Sequence, residues 1–113
     1  MTHPEIVANG SVTNDELNGL FAAAWASHEP RDSKPVLARS LVYFTAREHG
    51  HLIGFVNVAW DGGCHAFLLD PTVHPTFQRR GIGTQLVQQA ALAVRGQGVE
   101  WLHVDFEQTL EKF

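Results

Sequence analysis

Cysteine is nearly absent from the chain: Cys64 is the only one among 113 residues, so no internal disulfide can form. Structural disulfides are typical of secreted proteins, and a lone thiol is more typical of a protein in a reducing compartment. Long apolar runs are also missing, since none approaches the ~20 residues of a membrane span, and residues 1–4 do not resemble a signal peptide. These absences predict a cytoplasmic protein with no membrane partner.

Positive charge is scarce as well. The chain has 8 Lys and Arg against 12 Asp and Glu, a formal net charge of -4, which argues against a nucleic-acid partner. Its 7 histidines show no metal-ligand spacing, and we predict no metal site. A length of 113 residues predicts one small domain, residues 1–113. In this acidic chain the adjacent pair Arg79 and Arg80 stands out, and it favours a small phosphorylated ligand.

Hydrophobic periodicity predicts a mixed α/β domain. Thr13 and Glu16 form a capping-box pattern that begins the first helix, and Pro30 predicts that this helix ends near His28. Three central strands should form an antiparallel meander, and the strand after the long helix should lie parallel to the third of them. The predicted elements are, in order, a strand at 5–8, helices at 13–28 and 36–40, strands at 41–48, 52–60 and 66–73, a helix at 82–94, a strand at 100–106 and a helix from 107 onward.

The stretch from the third central strand into the long helix carries the clearest chemical pattern. Pro71 and Pro75 follow one another closely at the end of the strand, where pairing must falter because proline donates no hydrogen bond. Gly81 and Gly83 then open the helix, whose first amides have no intrahelical acceptor and carry partial positive charge. With the two arginines beside them, these amides predict a pyrophosphate site. The alternative is an ordinary strand-to-helix connection with surface arginines.

These residues resemble a known motif. The run Val73-x-Pro75-x-x-Gln78-Arg79-Arg80-Gly81-Ile82-Gly83-x-x-Leu86 is similar to the acetyl-CoA-binding motif of the GNAT superfamily of N-acetyltransferases, whose core is Gln/Arg-x-x-Gly-x-Gly/Ala. Other phosphate motifs fit less well, because no Gly-Lys-Ser/Thr is present and Leu86 replaces the third glycine of a dinucleotide fingerprint. The resemblance implies acetyl-CoA as cofactor, bound by Val73, Gln78, Arg79, Arg80, Gly81, Ile82, Gly83 and Thr84.

The resemblance also implies a fold. The predicted element order, β-α-α-β-β-β-α-β-α, is similar to that of the GNAT fold, a mixed sheet in which the fourth and fifth strands splay apart around the cofactor. Family members usually continue through two more strands, which often carry a tyrosine that protonates the departing thiolate. This chain stops at Phe113 and its only tyrosine is Tyr43, so it resembles a C-terminally short member. The open edge of the fifth strand predicts a homodimer formed by edge pairing or strand exchange, or else a truncated chain.

The reaction that the resemblance implies is acetyl transfer to a primary amine of a small molecule or peptide, by direct attack in a ternary complex. Such an amine must lose a proton, and Asp70 is the candidate base because it lies near Val73 among apolar neighbours. A role in hydrogen-bonding the turn before Pro71 explains Asp70 equally well. Asp105, with His103 on the same strand face, is the alternative base. An amide freed from pairing near Val73 would stabilise charge on the thioester oxygen.

A second interpretation keeps the cofactor site without turnover. In it the chain is a non-catalytic module that binds CoA or acyl-CoA, or a half-domain that a partner chain completes; the absent tyrosine favours it. Both interpretations share the expectation that Trp60 and Trp101 are core residues. Trp25 is expected either in the core or in the wall of an acceptor pocket.

Overall fold

The computed structural model describes residues 3–104 and contains one five-stranded mixed sheet. The strands are arranged in the order β1-β2-β3-β4-β5; the first four pair antiparallel, and β5 pairs parallel to β4. The predicted order and the mixed α/β class are thus confirmed as far as β5, while the helix predicted from 107 lies outside the described residues. The elements are β1 (Glu5–Ala8), α1 (Asn14–Ala24), α2 (Lys34–Arg39), β2 (Val42–Glu48), β3 (His51–Trp60), β4 (His65–Val73), a short 3-10 turn (Pro75–Phe77), α3 (Ile82–Arg95) and β5 (Trp101–Val104).

Helix α1 begins with the capping box that its sequence predicts. The Thr13 hydroxyl accepts from the Glu16 amide at 3.1 Å, and the Glu16 carboxylate accepts from the Thr13 amide at 3.0 Å. The helix ends at Ala24, before the predicted His28, because the chain becomes extended at Trp25. Residues 26–33 therefore form a longer loop between α1 and α2 than the position of Pro30 alone suggests.

Helices cover both faces of the sheet. On one face α3 buries Leu86 against a cluster that includes Val58, and both side chains are fully buried. On the other face α1 buries Phe21 against Phe55 of β3. Burying each such side chain contributes about 1.5–3 kcal/mol, so this two-sided core fixes the sheet between α1 and α3. No helix among the described residues is both long and apolar enough to cross a membrane.

Strand β4 carries a β-bulge at the place where the prolines predict disturbed pairing. Leu69 and Thr72 pair with β3 residues only two positions apart, so β4 has an extra residue between them and the register shifts. The extra length is accommodated at Asp70 and Pro71, and Asp70 adopts a positive φ of 54°, which aspartate tolerates. The predicted disturbance is confirmed, and it takes the form of a bulge inside a strand that continues to Val73.

The bulge also inverts the alternation of side chains along β4. Leu68 before the bulge and Val73 after it both pack in the core beneath α3, although regular alternation would put them on opposite faces. Thr72, by contrast, pairs with Phe55, whose side chain packs under α1. The bulge therefore sets which groups the end of β4 presents to each side of the sheet.

Two of the three tryptophans are not core residues, and that prediction is wrong for them. Trp60 is 40% exposed and Trp101 is 60% exposed. Trp60 is the last residue of β3 and Trp101 the first of β5, and the ends of strands extend past the helices that cover the sheet. Trp25 is half-buried and stacks on Phe21 with ring centroids 4.3 Å apart.

Candidate functional site

No side chain of residues 3–104 caps the first amides of α3. Gly81 is the N-cap residue, with φ 80° and ψ 7°, and it has no side chain to accept from the helix. The first intrahelical bond closes between the Gln85 amide and the Gly81 carbonyl at 3.0 Å. The amides of Ile82, Gly83 and Thr84 therefore lack intrahelical acceptors, and the helix dipole adds partial positive charge at this end. These are the groups that an anion would bind.

Glycine at position 81 keeps the space over these amides open. A Cβ built on Gly81 would meet no atom within 4 Å, and the positive φ is one that glycine adopts without strain. The side chain of Ile82, in contrast, points into the core and is only 3% exposed. Ile82 can therefore serve a ligand only through its backbone, whereas Thr84 is exposed on the first turn.

The two arginines lie at the surface next to this helix end. The Arg80 guanidinium lies over the ring of Phe77, 5.1 Å from its centroid, which orients the side chain near the loop. Arg79 has a positive φ of 68° and is exposed. Within residues 3–104 neither arginine forms a salt bridge with a carboxylate. Both charges are thus available to a phosphate group.

The backbone of Val73 faces away from β3. The His74 amide donates to the Ile53 carbonyl at 2.8 Å, which makes Val73 and Gly54 a non-hydrogen-bonded pair of the antiparallel ladder. In such a pair the N–H and C=O groups of Val73 point to the opposite edge of β4, the side on which β5 lies. The Val73 carbonyl accepts from Gln78 Nε2 at 3.1 Å, so the Gln78 side chain braces the loop that leads to α3.

Pairing between β4 and β5 covers only the first part of β4. The registered pairs join His65–Leu68 to Trp101–Val104, and among the described residues β4 has no partner on this side from Leu69 to Val73. The splaying of the two strands beyond this point involves residues after Val104 and stays a prediction. Asp105, the alternative base, also lies outside the described residues.

Asp70 lies in a polar setting, which contradicts the expectation of apolar neighbours. Its Oδ2 lies 3.3 Å from Nη2 of Arg31, and its side chain is 37% exposed. The carboxylate does not hydrogen-bond the turn before Pro71; the Thr72 hydroxyl instead donates to the Asp70 carbonyl at 2.9 Å. The side chain is free of the bulge that its backbone forms, and it is directed toward the loop between α1 and α2.

The histidines near the site have structural partners. His103 Nε2 and His65 Nδ1 share a hydrogen bond of 2.7 Å, and the ring of His103 stacks on Phe67. His74 Nδ1 accepts from the Thr76 amide at 3.2 Å and so caps the 3-10 turn. In the part of the chain that the structure describes, no three His, Cys, Asp or Glu side chains form a group able to hold a metal ion.

Sequence reasoning missed Arg31, the partner of Asp70. Its guanidinium carbon also lies 5.1 Å from the ring centroid of Phe21 and 5.6 Å from that of Trp25. No local motif marks it, because the contact with Asp70 joins residues 39 positions apart in the sequence. Long-range contacts from a polar loop leave no periodic signal.

Two asparagines on α1 hold the loop that carries Arg31. Asn18 Oδ1 accepts from the Arg31 amide and Asn18 Nδ2 donates to the Arg31 carbonyl, both at 3.0 Å. One turn earlier, Asn14 Oδ1 accepts from the Ser33 amide at 2.8 Å and Asn14 Nδ2 donates to Asp32. Residues four apart share one helix face, so this Asn-x-x-x-Asn spacing was the available signal that α1 anchors the following loop.

Comparisons with known proteins identify the family. The model of the acetyltransferase (GNAT) family matches residues 13–110. A mycothiol acetyltransferase from Nocardia farcinica is 31% identical over 99 residues, covering 82% of this chain and 33% of that protein. The chain thus spans about a third of the length of this curated relative.

Solved structures agree in fold. A GNAT family acetyltransferase from Streptococcus pneumoniae superposes with a TM-score of 0.77 at 23% identity, covering 94% of this chain and 77% of that one. An aminoglycoside N-acetyltransferase solved in complex with CoA gives a TM-score of 0.70 at 21% identity, covering 94% and 78%. At these identities the structures establish the fold alone. The family match over residues 13–110 decides the assignment: the chain belongs to the GNAT family of acetyltransferases.

Proposed function

We propose that this protein is an acetyl-CoA-dependent N-acetyltransferase that acetylates a primary amine of a small molecule or peptide by direct attack in a ternary complex. The observation that carries the proposal is the start of α3 at Gly81, which no side chain of residues 3–104 caps and beside which lie two arginines without a salt bridge in that range. This helix start follows strand β4, whose last residue Val73 directs its backbone N–H away from β3. The family match supports the same activity.

The residues around Gly81 fit a diphosphate group. The amides of residues 82–84 would hold its oxygens, and Arg79 and Arg80 would add charge-assisted hydrogen bonds. The Val73 N–H, which is directed away from β3, would hold the acyl-carrying arm. When bound, acetyl-CoA supplies the acetyl group as an activated thioester.

The protein must also remove a proton from the acceptor. At pH 7 an amine with a lysine-like pKa is almost wholly protonated, and deprotonating it costs about 4–5 kcal/mol. Asp70 is the proposed base: Oδ2 is bound by Arg31, so Oδ1 takes the proton directly or through a water. Another backbone amide freed from pairing near Val73 would stabilise the negative charge that develops on the thioester oxygen.

The acceptor is proposed only as a class. The similar proteins include one named mycothiol acetyltransferase and one named aminoglycoside N-acetyltransferase, which supports an amine-bearing acceptor for this chain. A second copy of the chain is proposed as partner, because β5 is the edge strand of the described sheet and exposed strand edges pair readily.

The alternative, a module that binds CoA without turnover, is favoured by one observation. The Tyr43 hydroxyl donates to the Gly10 carbonyl at 2.8 Å, so the hydroxyl of the chain's only tyrosine is engaged beside β1, which disfavours it as the general acid. Catalysis does not strictly require that acid, since a thiolate with a pKa of about 8.5 is a tolerable leaving group.

The test combines turnover and binding. Purified protein with acetyl-CoA and a panel of primary amines should release free thiol, measured with a thiol reagent. The double variant Arg80→Ala/Gly81→Asp should lose CoA binding by calorimetry and keep its helix content by circular dichroism, while Arg39→Ala on α2 should bind CoA normally. CoA binding without thiol release from any amine would establish the module instead. Unchanged CoA affinity in the double variant would refute the proposed cofactor site.

A further inference from the structure

A cation of the protein itself lies between a carboxylate and an aromatic face next to helix α1. The Arg31 guanidinium contacts Asp70 at 3.3 Å and lies 5.6 Å from the ring centroid of Trp25. A carboxylate beside an aromatic face is the chemical environment that binds ammonium and guanidinium groups. We call the place of this guanidinium, bounded by Asp70, Trp25 and Phe21, the cation site.

Arg31 can leave the cation site without unfolding the loop. Asn18 holds the backbone of Arg31 through its amide and carbonyl, and neither bond involves the guanidinium. The Arg31 side chain is 47% exposed, and its ion pair with Asp70 and its contacts with the two rings lie at the surface, where such interactions hold a side chain only weakly. The loop is therefore fixed while the charge it carries is displaceable.

The groups that remain when the guanidinium leaves favour another cation. Glu29 and Arg31 line one groove together with Trp25, and Glu29 is exposed, so the loop that carries Arg31 also carries a carboxylate. The other titratable group of the groove, His28, is bound through Nε2 to Asn18 Oδ1 at 2.9 Å. With a net charge of -4, the whole protein also attracts cations.

We propose that the acceptor carries a second cationic group, as a diamine or polyamine does, and that this group replaces the Arg31 guanidinium in the cation site. The inference rests on the proposed function and adds the substrate class. Arg31 then acts as a specificity residue. Its guanidinium keeps weakly binding cations out of the cation site, and an acceptor that carries two linked charges displaces it.

The test compares two amines that differ only in the second charge. Binding of hexamethylenediamine and of hexylamine to the CoA-loaded protein is measured by isothermal titration calorimetry, and thiol release from acetyl-CoA is measured separately. The diamine should bind at least about fivefold tighter than the monoamine. Arg31→Ala removes the competing cation and should tighten diamine binding about fivefold more than it tightens binding of the monoamine.

Two further variants complete the design. Trp25→Leu should weaken diamine binding about fivefold relative to hexylamine, with folding checked by circular dichroism. Arg39→Ala, which removes an exposed arginine from α2, should change neither amine. If Arg31→Ala weakens diamine binding, or if a carboxylate-bearing amine such as aminohexanoic acid binds best and loses its affinity in this variant, the inference is overturned.

Calorimetry separates this inference from the proposed function. If the protein binds the diamine more tightly but releases no thiol with either amine, the acetyltransferase proposal is refuted and the cation site is supported. If both amines bind with equal affinity and both cause thiol release, the acetyltransferase proposal is supported and the cation site is refuted.

Discussion

Asp70 combines two requirements in one residue, a backbone that must adopt a positive φ and a side chain that must carry charge. Its φ of 54° closes the β4 bulge, and its carboxylate holds Arg31. The sequence indicated the disturbed strand through two prolines, but it gave no sign that the carboxylate would be half-exposed and paired. The backbone event is local, whereas the pairing depends on a loop far away in the sequence.

Replacing Asp70 by asparagine separates the two requirements. Asparagine tolerates the left-handed conformation, so Asp70→Asn should keep the bulge and the affinity for CoA. Loss of the base should lower kcat by about a hundredfold, measured as thiol release under saturating substrates. Asp15→Asn, which removes an exposed charge from the first turn of α1, is the matched control and should leave kcat unchanged. A fully active Asp70→Asn enzyme would show that the proton leaves by another route.

Gly81→Ala tests how much the left-handed backbone conformation at the N-cap of α3 contributes to the stability of the fold. The new Cβ would touch nothing within 4 Å, but the φ of 80° is unfavourable for alanine. The substitution should destabilise the fold by about 1–2 kcal/mol in urea unfolding. Gly19→Ala, in α1 with open space and no positive φ, is the control and should stabilise by about 0.5–1 kcal/mol. A neutral Gly81→Ala would mean that the N-cap is not left-handed.

At the scale of elements, an ion pair links helix α1 to strand β2 of the sheet. Arg47 of β2 donates to both carboxylate oxygens of Glu16, at 2.6 and 2.9 Å, while Glu16 also closes the capping box. The hydrogen bonds from Arg47 lower the pKa of Glu16 from 4.5 to about 2. The capping box was predictable from residues 13–16, but its second partner was not, because β2 lies 31 positions away.

The lowered pKa of Glu16 predicts an acid-dependent stability difference. Since the folded pKa is below the unfolded one, the contribution is complete above pH 4.5 and is lost as the pH falls through about 2. Glu16→Gln keeps a capping residue but loses the ion pair, and after solvent screening it should cost about 1–2 kcal/mol at pH 7. Urea unfolding of both proteins from pH 7 to pH 2 should show this difference vanish. If the difference in unfolding free energy between the two proteins does not change with pH, the effect of the substitution comes from packing instead.

At the scale of the whole molecule, the element order and the glycine-capped turn from β4 into α3 were predictable because each follows from local patterns of polarity, glycine and proline. The exposure of Trp60 and Trp101 was not, since an apolar residue in a strand gives no sign of whether a helix covers it. The Arg31–Asp70 pair was hidden for a related reason. Sequence periodicity reports what one element contributes, and these features depend on where two elements meet.

The last prediction concerns the proposed dimer, which would form at the edge of the sheet described for residues 3–104. Trp101 begins edge strand β5 and is 60% exposed, so Trp101→Lys places a charge where a second copy would pair. Trp60→Lys is the matched control: Trp60 is also exposed, but β3 lies between β2 and β4 and has no free edge. Sedimentation equilibrium should find a dimer for the unmodified protein and for Trp60→Lys, and a monomer for Trp101→Lys. If the unmodified protein is monomeric at every concentration, pairing through β5 is excluded. Equal dissociation in both variants would place the contact on an exposed face rather than on the strand edge.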